Sequence, residues 1–162
     1  MQAGQLTQKK IFIIVSGATV TAYVLNTDGT RGAALGSAIT SSSGAYTIPL
    51  ESSGPITLVM IGGSYKDEAT AATVTIPAGF ELEILAPTDA NRASLHLHAI
   101  STIAAARAKV LVATLDLTNA HGKSVIDTAN VFGLTCIDTG VVKPDHFTVI
   151  SGVPLESYGL RV

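Results

Sequence analysis

Short apolar runs separated by turn residues fill the first half of the chain. In the clearest run, residues 18–26, small and branched apolar side chains alternate with Thr and Tyr, the pattern of a strand with one buried face. Turn residues such as Asp28-Gly29 and Gly54-Pro55 separate the runs. This spacing predicts seven short strands, which is typical of a β-sandwich. We expect them at Ile11–Val15, Ala18–Asn26, Ala34–Thr40, Ala45–Leu50, Ile56–Ile61, Ala72–Ile76 and Phe80–Leu85.

The hydrophobic period becomes helical after Pro87. Apolar residues there predict a helix of about four turns, with Leu97, Ile100, Ala104, Ala108 and Leu111 on its apolar side. Arg107 and Lys109 within it argue against a membrane span, which needs roughly 20 apolar residues. A second helix is predicted from near Asn119 or Lys123 to Phe132, with Gly133 as its C-terminal cap.

The predicted fold class is therefore α+β, with an N-terminal seven-stranded β-sandwich, a two-helix region and an extended C-terminal tail. The corresponding parts are an N-terminal extension (1–10), a β domain (11–88), a helical region (89–138) and the tail (139–162). The extension lacks the apolar core of a signal peptide, so we expect any export signal to have been removed or to lie outside this chain.

Composition adds an unusually neutral surface to this fold. Charged residues make up 14% of the 162 residues, against roughly 25% in an average soluble domain. Between Ile11 and Ser64 the formal charges are Asp28, Arg31 and Glu51 alone. The net charge of -2 and the lack of a basic cluster argue against nucleic-acid binding. A long uncharged β surface favours self-association instead.

Two sequence strings resemble a known family. Residues 17–20 (GATV) and 40–46 (TSSSGAY) are similar to the GA-x-V and T-x-x-x-G-x-Y pattern of carboxypeptidase-regulatory-like domains, which have transthyretin-like (prealbumin-like) or immunoglobulin-like sandwiches. In that pattern the Tyr46 ring would turn inward and its hydroxyl would reach a backbone group. Residues 62–70 and 128–134 look like segments of bacterial envelope and lipoprotein-like proteins. The resemblance implies a secreted or cell-surface protein of the bacterial envelope.

Few residues stand out as candidates for chemistry. His96 and His98 would share one side of a strand and could then bind a metal, but in a helix they would diverge, and this segment has the pattern of a helix entrance. Adjacent Asp67 and Glu68 fit a solvated loop better than an acid/base pair. Asp28 fits turn chemistry better than a calcium loop, because further spaced carboxylates are lacking.

Two covalent crosslinks involve lysine or cysteine. An isopeptide crosslink from Lys9 or Lys10 to Asn91, promoted by Glu68, is conceivable, although nothing in the spacing selects these residues. Cys136 is the single cysteine, so it can form no intrachain disulfide. No nucleophile elbow, P-loop, dinucleotide fingerprint or metalloprotease helix is present in the sequence. We therefore expect a protein that is not an enzyme, with no catalytic, cofactor-binding or metal-ligating residues.

The leading hypothesis is a structural or adhesive surface protein that assembles into an oligomer or fibre by adding a strand to a neighbouring sheet. The run Ile11–Val15 or the tail could supply that strand. The alternative is a module that binds glycan or protein through loops such as 62–70. Low aromatic content, 5% with no Trp, weakens the glycan reading because sugars commonly stack on aromatic rings.

Overall fold

The computed structural model describes residues 14–51, 53–67, 70–88 and 95–132. Within these ranges the chain forms an α+β fold with six strands and two helices. The strands are β1 (Thr19–Leu25), β2 (Arg31–Ile39), β3 (Ile56–Ile61), β4 (Ser64–Lys66), β5 (Thr73–Thr75) and β6 (Glu81–Ala86), and the helices are α1 (Ala99–Leu111) and α2 (Leu117–Phe132). No described helix is long and apolar enough to cross a lipid bilayer.

Four strands form one antiparallel sheet in the order β2-β1-β3-β6, and β4 pairs with β5 in a separate antiparallel ribbon. The pairing of β1 with β3 runs without interruption from Thr19 opposite Ile61 to Val24 opposite Ile56. The pairing of β1 with β2 has two register shifts, the first where Leu35 is the extra residue of a bulge. The sheet therefore has two edges, a bulged β2 and a regular β6.

One face of this sheet, which we call the core face, carries the larger apolar core. Side chains alternate along a strand, so every second residue of β1, β3 and β6 points to this face. The buried members are Ala18, Val20, Ala22, Ile56, Leu58, Met60, Leu82, Ile84 and Ala86. Half-buried side chains from the flanking segments cover them, namely Val15, Leu35, Tyr46, Ile48, Leu50, Ile76, Leu95 and Leu97.

The opposite face, which we call the helix face, packs against the helices. A second cluster of buried residues joins the sheet to both helices, with Leu25 and Leu85 from the strands and Ala105, Ala108 and Leu117 from the helices. Small alanines allow α1 to approach β6 closely, and α2 then packs against α1. The helices thus share a core with the β region.

Each helix begins at a polar cap. Before α1, His98 Nδ1 accepts a hydrogen bond from the Ser101 N–H at 3.3 Å, and the His98 N–H donates to Ser101 Oγ at 3.0 Å. Before α2, Asp116 Oδ1 accepts from the Asn119 N–H at 3.0 Å. The predicted first helix is confirmed. The second begins earlier than expected, at Leu117, because Asp116 supplies the cap.

The seven-stranded sandwich is not confirmed, since the described strands number six in two sheets. The segment predicted as a strand at Ala45–Leu50 has no ladder partner among the described residues. Apolar residues alternate there because Tyr46, Ile48 and Leu50 pack against the core face. Pro49 has no N–H to donate to a neighbouring strand. The short β4 was missed. Of the predicted strand Ile11–Val15, residues 11–13 lie outside the described ranges, and Ile14 and Val15 are not in a strand.

Candidate functional site

The outer edge of β2 is the most distinctive surface of the sheet. The Thr40 N–H donates to the Ala18 carbonyl at 2.8 Å, whereas the Leu25 N–H donates to Pro55 on the β3 side at 3.0 Å. Backbone groups alternate sides along a strand, so the even-numbered residues of β1 face β2. Ala38 pairs with Val20, which is one of these even-numbered residues, so the backbone N–H and C=O groups of Ala38 face β1. Those of Ser37 and Ile39, the next residues on either side, therefore point away from the sheet.

In the part of the chain that the structure describes, this edge lacks the usual protection against strand addition. Natural edge strands commonly carry Lys or Pro, which prevent another strand from pairing. β2 contains neither, and its side chains are mostly small. The side chain of Ile39 is 69% exposed. Among the described residues, the two register shifts of β2 protect the edge in part, and the first, at Leu35, limits the regular stretch of the edge to Gly36–Ile39.

The opposite edge, β6, is capped by α1 at its centre. The Glu83 N–H donates to Thr102 Oγ1 at 2.9 Å, and Ser101 Oγ donates to the Glu83 carbonyl at 3.0 Å. Ser101 itself is only 3% exposed. Side-chain hydroxyls therefore occupy both outward backbone groups of Glu83 at the centre of β6, and α1 contacts this strand, which hinders the addition of another strand there.

Four charged side chains and one hydroxyl converge on the helix face, in what we call the Glu83 cluster: Arg31, Glu81, Glu83 and Lys109, with Thr57. Lys109 Nζ lies 2.7 Å from both Glu83 carboxylate oxygens. Arg31 contacts the same two oxygens at 3.2 Å, through Nε and Nη2, and reaches Glu81 at 2.8 Å. The Thr57 hydroxyl lies 2.9 Å from Glu83 Oε1. The cluster therefore balances two carboxylates against two cations.

Glu83 is the buried centre of this cluster, with its side chain 8% exposed. Burial raises the pKa of Glu83, but hydrogen bonds from Arg31 and Lys109 outweigh that effect and hold the pKa below its ordinary value of 4.5. A carboxylate with both oxygens occupied and a lowered pKa is a weak base. The arrangement is suited to tying β2, β3, β6 and α1 together.

The Glu83 cluster was not predicted from the sequence, although two signals point toward it. Arg31 is the single cation between Ile11 and Ser64, and an isolated charge in apolar surroundings usually has a partner. Glu81 and Glu83 alternate along β6, so they share one face of the sheet.

The histidines do not share a strand. His98 is the N-cap of α1, which confirms the expectation that this segment is a helix entrance, and His96 lies in the irregular segment before it. Among the described residues, no group of three or more His, Cys, Asp or Glu side chains is placed to hold a metal ion.

The acidic candidates lie in turns. Asp67 Oδ1 accepts hydrogen bonds from the Thr70 N–H at 2.9 Å and from its hydroxyl at 3.0 Å, in the loop between β4 and β5. Asp28 Oδ1 accepts from the Thr30 N–H at 2.9 Å and from its hydroxyl at 2.6 Å, and these bonds lower the pKa of Asp28. The turn prediction for Asp28 is thus confirmed. Glu68, Lys9, Lys10, Asn91 and Cys136 lie outside the described residues.

Tyr46 makes the contact that the sequence pattern predicts. Its ring packs against the core face, and its hydroxyl donates to the Leu95 carbonyl at 2.7 Å. Burial raises the pKa of Tyr46 to about 12. The bond fastens the segment that precedes α1 to the core face of the sheet.

Comparison with known proteins found no match to this chain among family models, curated protein sequences or solved structures.

Proposed function

We propose that this chain is a non-catalytic structural or adhesive protein, secreted or exposed on the bacterial cell surface, that assembles by strand addition at β2. The observation that carries the proposal is the contrast between the two edges of the sheet. Ser101 and Thr102 cap β6, whereas no hydrogen bond joins the outer edge of β2 to another described residue. Main-chain hydrogen bonds at an open edge are a common source of affinity between proteins.

Side chains near the β2 edge favour the same role. Ile39 and Ile61 are 69% and 42% exposed, and both flank Thr19 in one row across the helix face. An added strand would continue this row and remove apolar surface from water. Arg31, the one charged residue of β2, turns inward to the Glu83 cluster and so does not guard the edge. The proposed location rests on the sequence resemblance, and the proposed assembly rests on the edge.

Sedimentation velocity over a range of protein concentrations tests this role, with wild type compared with Ile39→Lys and Val110→Lys. Both substitutions replace an exposed apolar side chain, 69% and 73% exposed, with lysine. Val110 lies in α1, outside the sheet, so it controls for the added charge. We expect wild type and Val110→Lys to associate. Ile39→Lys should weaken the association at least tenfold, which is about 1.4 kcal/mol, because a lysine on an edge strand disfavours pairing with another strand.

A wild-type protein that stays monomeric at every concentration would refute the proposed role. Equal association of Ile39→Lys and wild type would also refute it, because the contact would then lie elsewhere. Circular dichroism of each variant shows whether it is folded, so a loss of association through unfolding is recognised.

A further inference from the structure

We infer that the strand added to β2 is β2 of a second copy of this chain, in antiparallel register about a two-fold axis at Ala38. This inference rests on the proposed function and names its partner. Only the stretch Gly36–Ile39 pairs regularly with β1, and only Ser37 and Ile39 in it direct their backbone groups outward. These two residues offer four outward groups in each copy, the N–H and C=O of Ser37 and of Ile39. We expect the register in which all four form hydrogen bonds.

Centring the axis on Ala38 meets that condition. Ser37 then lies opposite the partner's Ile39, and Ile39 lies opposite the partner's Ser37. Each of these is a pair in which both N–H groups donate and both carbonyls accept. Moving the axis to Ser37 would place Ile39 opposite the partner's Leu35, a bulge residue, and the second pair would be lost.

The side chains fit this register. Ala38 meets its own copy on the axis, where the opposing strands approach most closely, and its methyl group is small enough to be accommodated. On the helix face, each Ile39 packs beside the partner's Ser37. The paired stretch Gly36–Ile39 contains no charge, so two identical copies meet without repulsion.

The assembly is a closed dimer. Four strands from each copy join into one continuous sheet, and its two outer edges are both β6, capped by Ser101 and Thr102. A symmetric contact of one surface with itself closes after two copies. The dimer therefore replaces the fibre as the expected assembly.

Disulfide trapping tests the register, with single cysteines introduced in a Cys136→Ser background. In the proposed dimer the two Ala38 residues form a non-hydrogen-bonded pair with Cα atoms about 4.5 Å apart, within the range that a disulfide bridges. The two Ser37 residues lie on a diagonal, roughly 7–8 Å apart, which is beyond that range. We expect Ala38→Cys to crosslink to a covalent dimer under mild oxidation at least tenfold faster than the control Ser37→Cys.

Equal trapping at both positions, trapping at Ser37 alone, or trapping at neither would overturn the register. If Ile39→Lys still abolishes association in that case, the proposed function stands and the added strand comes from another segment of the chain. Growth of wild type beyond dimers would refute the closed assembly.

Hydrogen exchange of the wild-type amides provides a second measurement that needs no variant. The Ser37 and Ile39 amides should become protected as concentration rises, whereas the Ala38 amide, already paired with β1, should change little. Exchange at Ser37 and Ile39 that does not change across the monomer–dimer transition would overturn the inference.

Discussion

Replacing Lys109 with methionine is expected to destabilise the fold strongly, because it removes one of two cations from a buried carboxylate. Glu83 is 8% exposed and Lys109 is 28% exposed, so the pair is largely shielded from water. Removing one partner of a buried ion pair typically costs 3–5 kcal/mol. Arg31 still contacts both oxygens of Glu83 in the variant. We therefore expect a loss near the lower limit, about 3 kcal/mol at neutral pH.

A matched substitution on α2 provides the control. Lys123 forms an exposed ion pair with Asp127 four residues away, and its side chain is 54% exposed. Surface pairs of this kind contribute roughly 0.3–0.5 kcal/mol. Lys123→Met therefore makes the same chemical change in a helix and should reduce the free energy of unfolding far less. Urea denaturation followed by helical circular dichroism measures both losses.

The pH dependence identifies the carboxylate as the cause. The pKa of folded Glu83 lies below its ordinary value of 4.5, so its stabilising contribution is present above pH 4.5 and is lost as pH falls through the folded pKa. Without Lys109 that pKa rises, so the difference in stability between wild type and variant should shrink on acidification. Equal losses for Lys109→Met and Lys123→Met, or a difference that is unchanged at low pH, would refute this account.

Three further substitutions test local contacts. Tyr46→Phe removes the hydrogen bond to the Leu95 carbonyl and should cost about 1 kcal/mol of unfolding free energy near neutral pH. Because the folded pKa of Tyr46 is about 12, the stabilising contribution of its hydroxyl is present below pH 10 and is lost as pH rises to 12. The difference in stability between wild type and Tyr46→Phe, measured by urea denaturation, should therefore shrink over that range. Gly63→Ala should cost about 3 kcal/mol, because its φ is +83° and a Cβ would lie 2.8 Å from the Ala18 backbone nitrogen. Gly62→Ala, with φ +65° and open space around it, should cost roughly 1 kcal/mol, and equal thermal destabilisation of the two glycine variants would contradict the steric argument.

Strands were predicted correctly where a segment is both buried and hydrogen-bonded within the sheet. The predicted strand Ile56–Ile61 matches β3 because its apolar run is bounded by Gly54-Pro55 and Gly62-Gly63 and lies inside the sheet. At Ala45–Leu50 the alternation was real but reflected burial alone, since packing on one face does not require a ladder partner. β4 was missed because its three residues are too few and too polar to show a period.

Sequence reasoning predicted the uncharged β surface, but it predicted neither which strand forms the open edge nor the Glu83 cluster. The scarcity of charge between Ile11 and Ser64 indicated a surface open to association, but strand order decides which strand is an edge, and local patterns do not determine strand order. The Glu83 cluster joins Arg31 to Glu83 across 52 residues and Glu83 to Lys109 across 26. The first contact depends on the order of the strands and the second on how α1 packs on β6, and a single sequence specifies neither.

The two edges of the sheet are linked through α1. Ser101 and Thr102 at the start of this helix cap β6, and Lys109 near its end compensates Glu83 on the same strand. The Glu83 cluster also holds Arg31 at the start of β2, away from the outer edge of that strand. The Glu83 cluster thus has two effects. It fastens α1, which caps β6, and it holds Arg31, the one charged residue of β2, away from the outer edge of β2. In the assembly we propose, this arrangement would hinder growth at β6 and leave β2 as the strand that pairs.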